Sequence, residues 1–196
     1  AQNRLIATAA VLQPPVFDPG ASTATKFGSF GALVGHELTR AIDNKGALVD
    51  ALGELRNWWT PAEQTAWNRL GERLGNQLAG LPYPGVRDGR VQAANVRESA
   101  MADLSGLQLA WQTWSAIEPE AGKPEAQAFF TAWARLWPQA VSPHEALARH
   151  SAEVQLPGPV RVNASVANLP AFAQAFGCSA GQPMQLPDTA QVQFWP

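Results

Sequence analysis

The chain has 196 residues, of which 46% are apolar and only 15% charged, and its formal net charge is −2. That length can bury a sizeable core as one domain. The scattered Lys and Arg form no basic stripe for nucleic acid, no apolar run reaches the ~18 residues of a membrane span, and the single cysteine, Cys178, excludes an internal disulfide.

The first residues lack the charged-then-apolar pattern of a secretory leader. Leu5 to Leu12 is apolar and small and predicts a strand, stopped by Gln13-Pro14-Pro15 and followed by a loop rich in Pro, Gly, Ser and Thr. A helix is expected from around Ser29, with Leu33, Val34, Leu38, Ala41 and Ile42 on its apolar side and a glycine stop at Asn44-Lys45-Gly46. Thr60-Pro61-Ala62-Glu63 spells a capping box with proline in the first turn, and Trp67, Leu70, Leu74 and Leu78 follow at helical spacing. Leu81 to Gly89 is turn-rich. A long helix is expected over Asn95 to Ile117, with Met101, Leu104, Leu107 and Trp111 or Trp114 inward. Pro124 to Trp137 predicts an amphipathic helix whose core stripe is Phe129, Phe130, Trp133 and Trp137. Ser142-Pro143-His144-Glu145 repeats the capped start. Gly158 to Val166 reads as extended, with Val160, Val162 and Ala164 alternating, and Asn168-Leu169-Pro170 opens a short last helix ended by Gly177. Most of the eight tryptophans are expected to fill core between helices. The fold class is therefore mainly α with a few β-strands (α+β), in a single domain over residues 1–196.

One short motif carries chemistry. Gly35-His36-Glu37-Leu38-Thr39-Arg40 is a His-Glu-x-x-His zinc-peptidase motif with one ligand replaced. In the intact form, two histidines one helical turn apart grip zinc and the Glu activates the bound water. Arg40 stands at the second histidine position, and a guanidinium has no lone pair to offer a metal.

The surrounding blocks point to a family. Asn3 to Gln13 with Pro14-Pro15-Val16-Phe17, then Phe27-Gly28-Ser29-Phe30-Gly31-Ala32-Leu33-Val34-Gly35-His36-Glu37, come first. Asp50, Trp58-Trp59-Thr60-Pro61, Ala102-Asp103, Arg161-Val162-Asn163, Asn168-Leu169-Pro170-Ala171-Phe172 and Ala175-Phe176-Gly177-Cys178 follow. In order and approximate spacing they resemble the catalytic region of the neprilysin-like (M13) zinc metallopeptidases. Members of that family are typically several times longer. The resemblance is to the C-terminal part of their zincin (thermolysin-like) catalytic domain, starting just after the family's substrate-binding Asn-Ala-aromatic strand.

The resemblance implies roles residue by residue. His36 matches the first zinc ligand and Glu37 the general base, while Arg40 replaces the second ligand. Asp43 and Asp103 match carboxylates that support the zinc histidines from behind. The third ligand, a Glu in the family, falls on Ser99; Glu98 is adjacent but about 100° away around a helix and reads as a solvated residue. Arg161 matches an arginine of the site, and Gln155 stands where the family has a transition-state histidine. Glu153 matches the acidic position before it, and an ion pair between Arg161 and Glu153 is expected.

A catalytic zinc needs about three protein ligands plus water, and one imidazole does not provide them. The expectation is a degenerate, catalytically inactive homologue without cofactor, acting as a structural or partner-binding subunit. Its partner would be an active relative, the remainder of the family fold or a second copy. The alternative is a zinc metalloendopeptidase completed by another chain, or by Glu98 re-aimed through a π-bulge. A third reading is a cleft that captures peptides without cutting them. Arg40 is expected to take the place of the metal charge by pairing with Glu37 or Asp103. His144 and His150 read as surface or capping residues, and Cys178 as a small packing residue. The family resemblance implies an extracytoplasmic (periplasmic or secreted) location.

Overall fold

Several helices start where a side chain can satisfy their orphan N–H groups. In the computed structural model, which describes residues 4–152 and 155–195, Ser22 Oγ accepts from Thr25 N and opens α1 (Thr23–Lys26). The helix continues without a break through a π-helical turn (Phe27–Gly31) into α2 (Ala32–Arg40). It thus begins earlier than expected, because Ser22 supplies the cap. The expected capping box opens α3 (Pro61–Leu78): Glu63 N donates to Thr60 Oγ1 and Thr60 N donates to Glu63. The long helix is α4 (Ala93–Ile117), followed by α5 (Lys123–Arg135), α6 (Pro143–Ala152), α7 (Gly158–Val166) and α8 (Pro170–Phe176). Glu145 N donates to Ser142 Oγ at the start of α6. Gly177 ends α8 with φ 69°, a left-handed stop that favours glycine.

The axis of the molecule is α4. It packs against α2, α3 and α7, and every residue from Ala100 to Gln108 is buried. Met101, Leu104, Leu107 and Trp114 face Leu74 and Leu78 of α3 or Phe129, Phe130 and Trp133 of α5 in one continuous core. Trp111 stacks on Phe130 at 4.9 Å and meets Phe129 edge-on at 5.1 Å. Such aromatic pairs add about 0.5–1.5 kcal/mol each beyond area burial.

Three elements differ from the sequence reading. Leu5 to Leu12 forms coil and turns rather than a strand. Leu5, Ile6 and Leu12 are exposed there, so the segment has neither a pairing strand nor a buried face to fix it. Gly158 to Val166 is helical: Gly158, Arg161 and Ser165 are buried at spacings of three and four, and Pro159 sits in the first turn, where its missing N–H costs nothing. The apolar side of α2 is also reversed. Leu38 is 51% exposed and Ala41 is exposed, whereas Ala32, Gly35 and Thr39 are buried. Among the described residues β-structure is reduced to two isolated antiparallel bridges, Val49 with Leu55 and Pro82 with Arg90.

Candidate functional site

The site begins at a helix crossing with no side chains in it. A Cβ placed on Gly35 would lie 2.6 Å from Gly106 O, and one on Gly106 would lie 2.2 Å from His36 N. Helices α2 and α4 therefore touch backbone to backbone, which only glycine allows at both positions. Beside the crossing, Thr39 Oγ1 pairs with Ser105 Oγ at 2.8 Å and donates to Gly35 O. The close approach brings His36, the residue after Gly35, onto Asp103 of α4. His36 Nδ1 lies 2.7 Å from Asp103 Oδ1, as expected for a carboxylate that orients a histidine.

Asp103 is 1% exposed, so an unpaired charge there would be expensive. Its counter-charge comes from α7. Arg161 Nη2 donates to Asp103 Oδ1 at 2.6 Å, and Arg161 Nε makes a second, bent contact of 2.6 Å with Oδ2. The guanidinium carbon lies 3.4 Å above the Trp137 ring. A buried arginine lying over an aromatic ring and paired with a carboxylate is a firmly held charge. Trp137, Ser105 and Gly106 escaped the sequence reading as site residues. The signal for the last was a glycine in mid-helix, which costs about 1 kcal/mol against alanine and so calls for a packing reason.

Arg40 does not take the expected partners. Its Nη1 donates to Asp43 Oδ2 at 3.0 Å, three residues along the same chain turn, while Asp103 is already occupied from α2 and α7. Asp43 is 3% exposed, and its Oδ1 accepts from Lys45 N and Gly46 N. It thus closes the end of α2 as well as holding Arg40. The expected Arg161 partner, Glu153, lies outside the described residues. His150 is half-buried rather than simply superficial: its ring meets Tyr83 edge-on at 4.8 Å and Nε2 contacts Arg90 O.

Glu37 is exposed, and among the described residues its carboxylate has no hydrogen-bond or ion-pair partner. Ser99 is half-buried one turn before Asp103 on α4, and Gln155 is exposed in the bend before α7. Glu98 leans towards Asn44 at the end of α2, with Oε1 3.5 Å from Asn44 Nδ2. Because α4 is a regular α-helix throughout, no π-bulge re-aims Glu98 at His36; the π-helical turn lies in the α1–α2 helix instead.

The donor set does not fit a catalytic zinc. Among the described residues no three His, Cys, Asp or Glu side chains gather as a metal site. His36 stands with Arg40 one turn on, Asp103 held by Arg161, and a serine at position 99. A cavity of about 830 Å³, lined in part by Arg73, Leu169, Gln174, Cys178 and Asp188, opens elsewhere, and none of these site residues lines it.

The fold has clear relatives. The profile of Peptidase family M13 matches residues 1–192. Neprilysin-1 of Caenorhabditis elegans is 30% identical over 194 residues, covering 93% of this chain and 26% of that protein. PEPO from Lactobacillus rhamnosis superposes with a TM-score of 0.85 at 33% identity, over 95% of this chain and 29% of that one. Zinc metalloprotease ZMP1 of Mycobacterium tuberculosis in its open state gives a TM-score of 0.87 at 31% identity, over 96% of this chain and 31% of that one. The chain spans about a quarter of the length of the curated relatives it matches. With the family profile matched over nearly the whole chain and the fold superposed on solved relatives, this chain belongs to peptidase family M13.

Proposed function

We propose that this M13 segment is catalytically silent and serves as a structural or partner-binding part of a larger peptidase-like assembly. The observation that carries the reading is the donor set: Arg40 and Ser99 stand where a zinc peptidase needs ligands, and Arg40 is engaged with Asp43. Without a bound dication, an attacking water keeps its bulk pKa near 15.7 instead of about 7, and Glu37 is too weak a base to make up the difference. Gln155 at the transition-state position removes a further contribution on the order of 3 kcal/mol, by analogy with oxyanion-site deletions.

Exposed apolar residues support the partner role. Leu52 is 84% and Leu55 89% exposed, and Leu38 and Trp58 lie open on the same stretch of chain. The occupant proposed for them is a further M13-type segment, since the relatives matched are about four times longer than this chain. By the same kinship the assembly works outside the cytoplasm. No helix of the described residues is long and apolar enough to cross a membrane.

The exposed, unpaired Glu37 at the general-base position favours a second reading, a zinc metalloendopeptidase whose missing donors come from another chain. An assay of peptide cleavage with and without chelator separates the two. We expect no cleavage above background; chelator-sensitive cleavage by purified protein overturns the silent reading. Mass measurement in solution checks the partner role, and a stable monomer at all concentrations overturns self-association.

A further inference from the structure

We infer that two arginines, Arg161 and Arg40, supply the positive charge that holds the buried carboxylates of the α2–α4 pair, so that this part of the fold stands without a metal. The inference deepens the silent reading and rests on the same misfit of donors, but it concerns stability rather than catalysis. Two carboxylates in the pair are almost wholly removed from water, Asp103 at 1% and Asp43 at 3% exposure. Each has its counter-charge within the chain. Asp103 takes His36 Nδ1 and two contacts from Arg161. Asp43 takes two backbone N–H groups and Arg40 Nη1.

The two arginines differ in how firmly they are held. Arg161 keeps 10% of its side chain exposed, and its guanidinium carbon lies 3.4 Å over the Trp137 ring. Arg40 is more open, at 38%, yet it meets an aspartate whose other oxygen already closes the helix end. A guanidinium stays charged at any ordinary pH, so the compensation is permanent. A dication approaching the free edge of His36 meets one imidazole and, one turn along the same face, the charge of Arg40. A ligand that gains no native-state site adds no stability.

The test uses the full chain. Metal analysis after purification is expected to find far less than one zinc per chain, and thermal melting is expected to be unchanged by excess zinc or by EDTA. Stoichiometric zinc, or a melting temperature raised by zinc and returned by EDTA, overturns the inference. A second arm probes the charge itself. Arg161→Met is expected to lower the melting temperature by roughly 10 °C, since it leaves Asp103 buried without its guanidinium and with only the His36 imidazole beside it. The double variant Arg161→Met/Asp103→Asn is expected to recover most of that loss. If the single variant yields no folded protein, recovery of soluble protein by the double variant supports the inference. Absence of recovery in either form shows that Arg161 acts by packing alone and overturns it. The two readings fail separately. Zinc uptake without cleavage removes this inference and leaves the silent reading. Cleavage by zinc-free, chelator-insensitive protein does the reverse.

Discussion

The two faces of α2 are built on opposite terms. The inner face, Ala32, Gly35 and Thr39, is buried against α4, and the closest contacts are between backbones at Gly35 and Gly106. The outer face carries the larger side chains: Leu33 and Val34 are half-buried and Leu38 is open to solvent. Burial here follows smallness rather than hydrophobicity. The inner face gains dispersion contacts and a precise axial distance, while the outer face holds most of the transferable apolar area for whatever covers it.

The largest test of this contrast is Gly106→Ala. Its methyl group would fall 2.2 Å from His36 N, and backbone cannot yield as a side chain can. The expected loss is about 3 kcal/mol or more, read by chemical denaturation. A near-neutral result would mean that the helices do not need to touch. Trp137→Ala comes next, because it removes the surface on which Arg161 lies. A desolvated cation–π contact of this kind is worth about 2 kcal/mol, and the loss should shrink when Asp103 is made Asn. Arg40→Ala should cost less, below about 1 kcal/mol, because the arginine is partly solvated. In the turn segment after α2, Leu52→Ser or Leu55→Ser should move stability by no more than about 0.5 kcal/mol, while weakening association measured by sedimentation. A large stability loss there would show these leucines to be core after all.

The smallest effect is a pH dependence outside the site. Asp50 lies below its ordinary value of 3.8, chiefly because Glu54 N–H donates to it, with Leu52 N–H and Arg56 helping against the opposing effect of burial. Glu63 lies below 4.5 through the N–H and hydroxyl of Thr60. Both pKa values are depressed by folding. Their stabilisation is therefore complete above the ordinary carboxylate values and is lost as pH falls through the lowered ones. Acid titration of unfolding should show this loss in the wild type and a shallower one in Asp50→Asn and Glu63→Gln.

Much of this was legible in the sequence where signals are local. The Thr60–Glu63 box, the Met101–Leu104–Leu107 stripe and the Gly177 stop each depend on neighbours within one or two turns. The order of family blocks carried His36 and Asp103 to one place although 67 positions separate them. What stayed hidden depended on distance or on absence. The partner of Arg161 is 58 residues away in Asp103, and a closer acidic residue, Glu153, drew the expectation instead. The Val160–Val162 alternation imitates a strand because a short helix next to a long one buries an irregular set of positions. On α2, period and hydrophobicity chose the wrong side, since Gly35 and Ala32 contribute almost nothing to an apolar count. The stray glycine in α4 was the readable sign of the true face.

The backbone crossing at Gly35 and Gly106 has a consequence for descent. It sets the separation and phase of the two helices without help from the positions that face a metal. Arg40 is partly solvated and Ser99 only half-buried, so both lie off the point of closest contact. Changes of side chain at those two positions therefore leave the helix separation and phase untouched, because the crossing itself carries both.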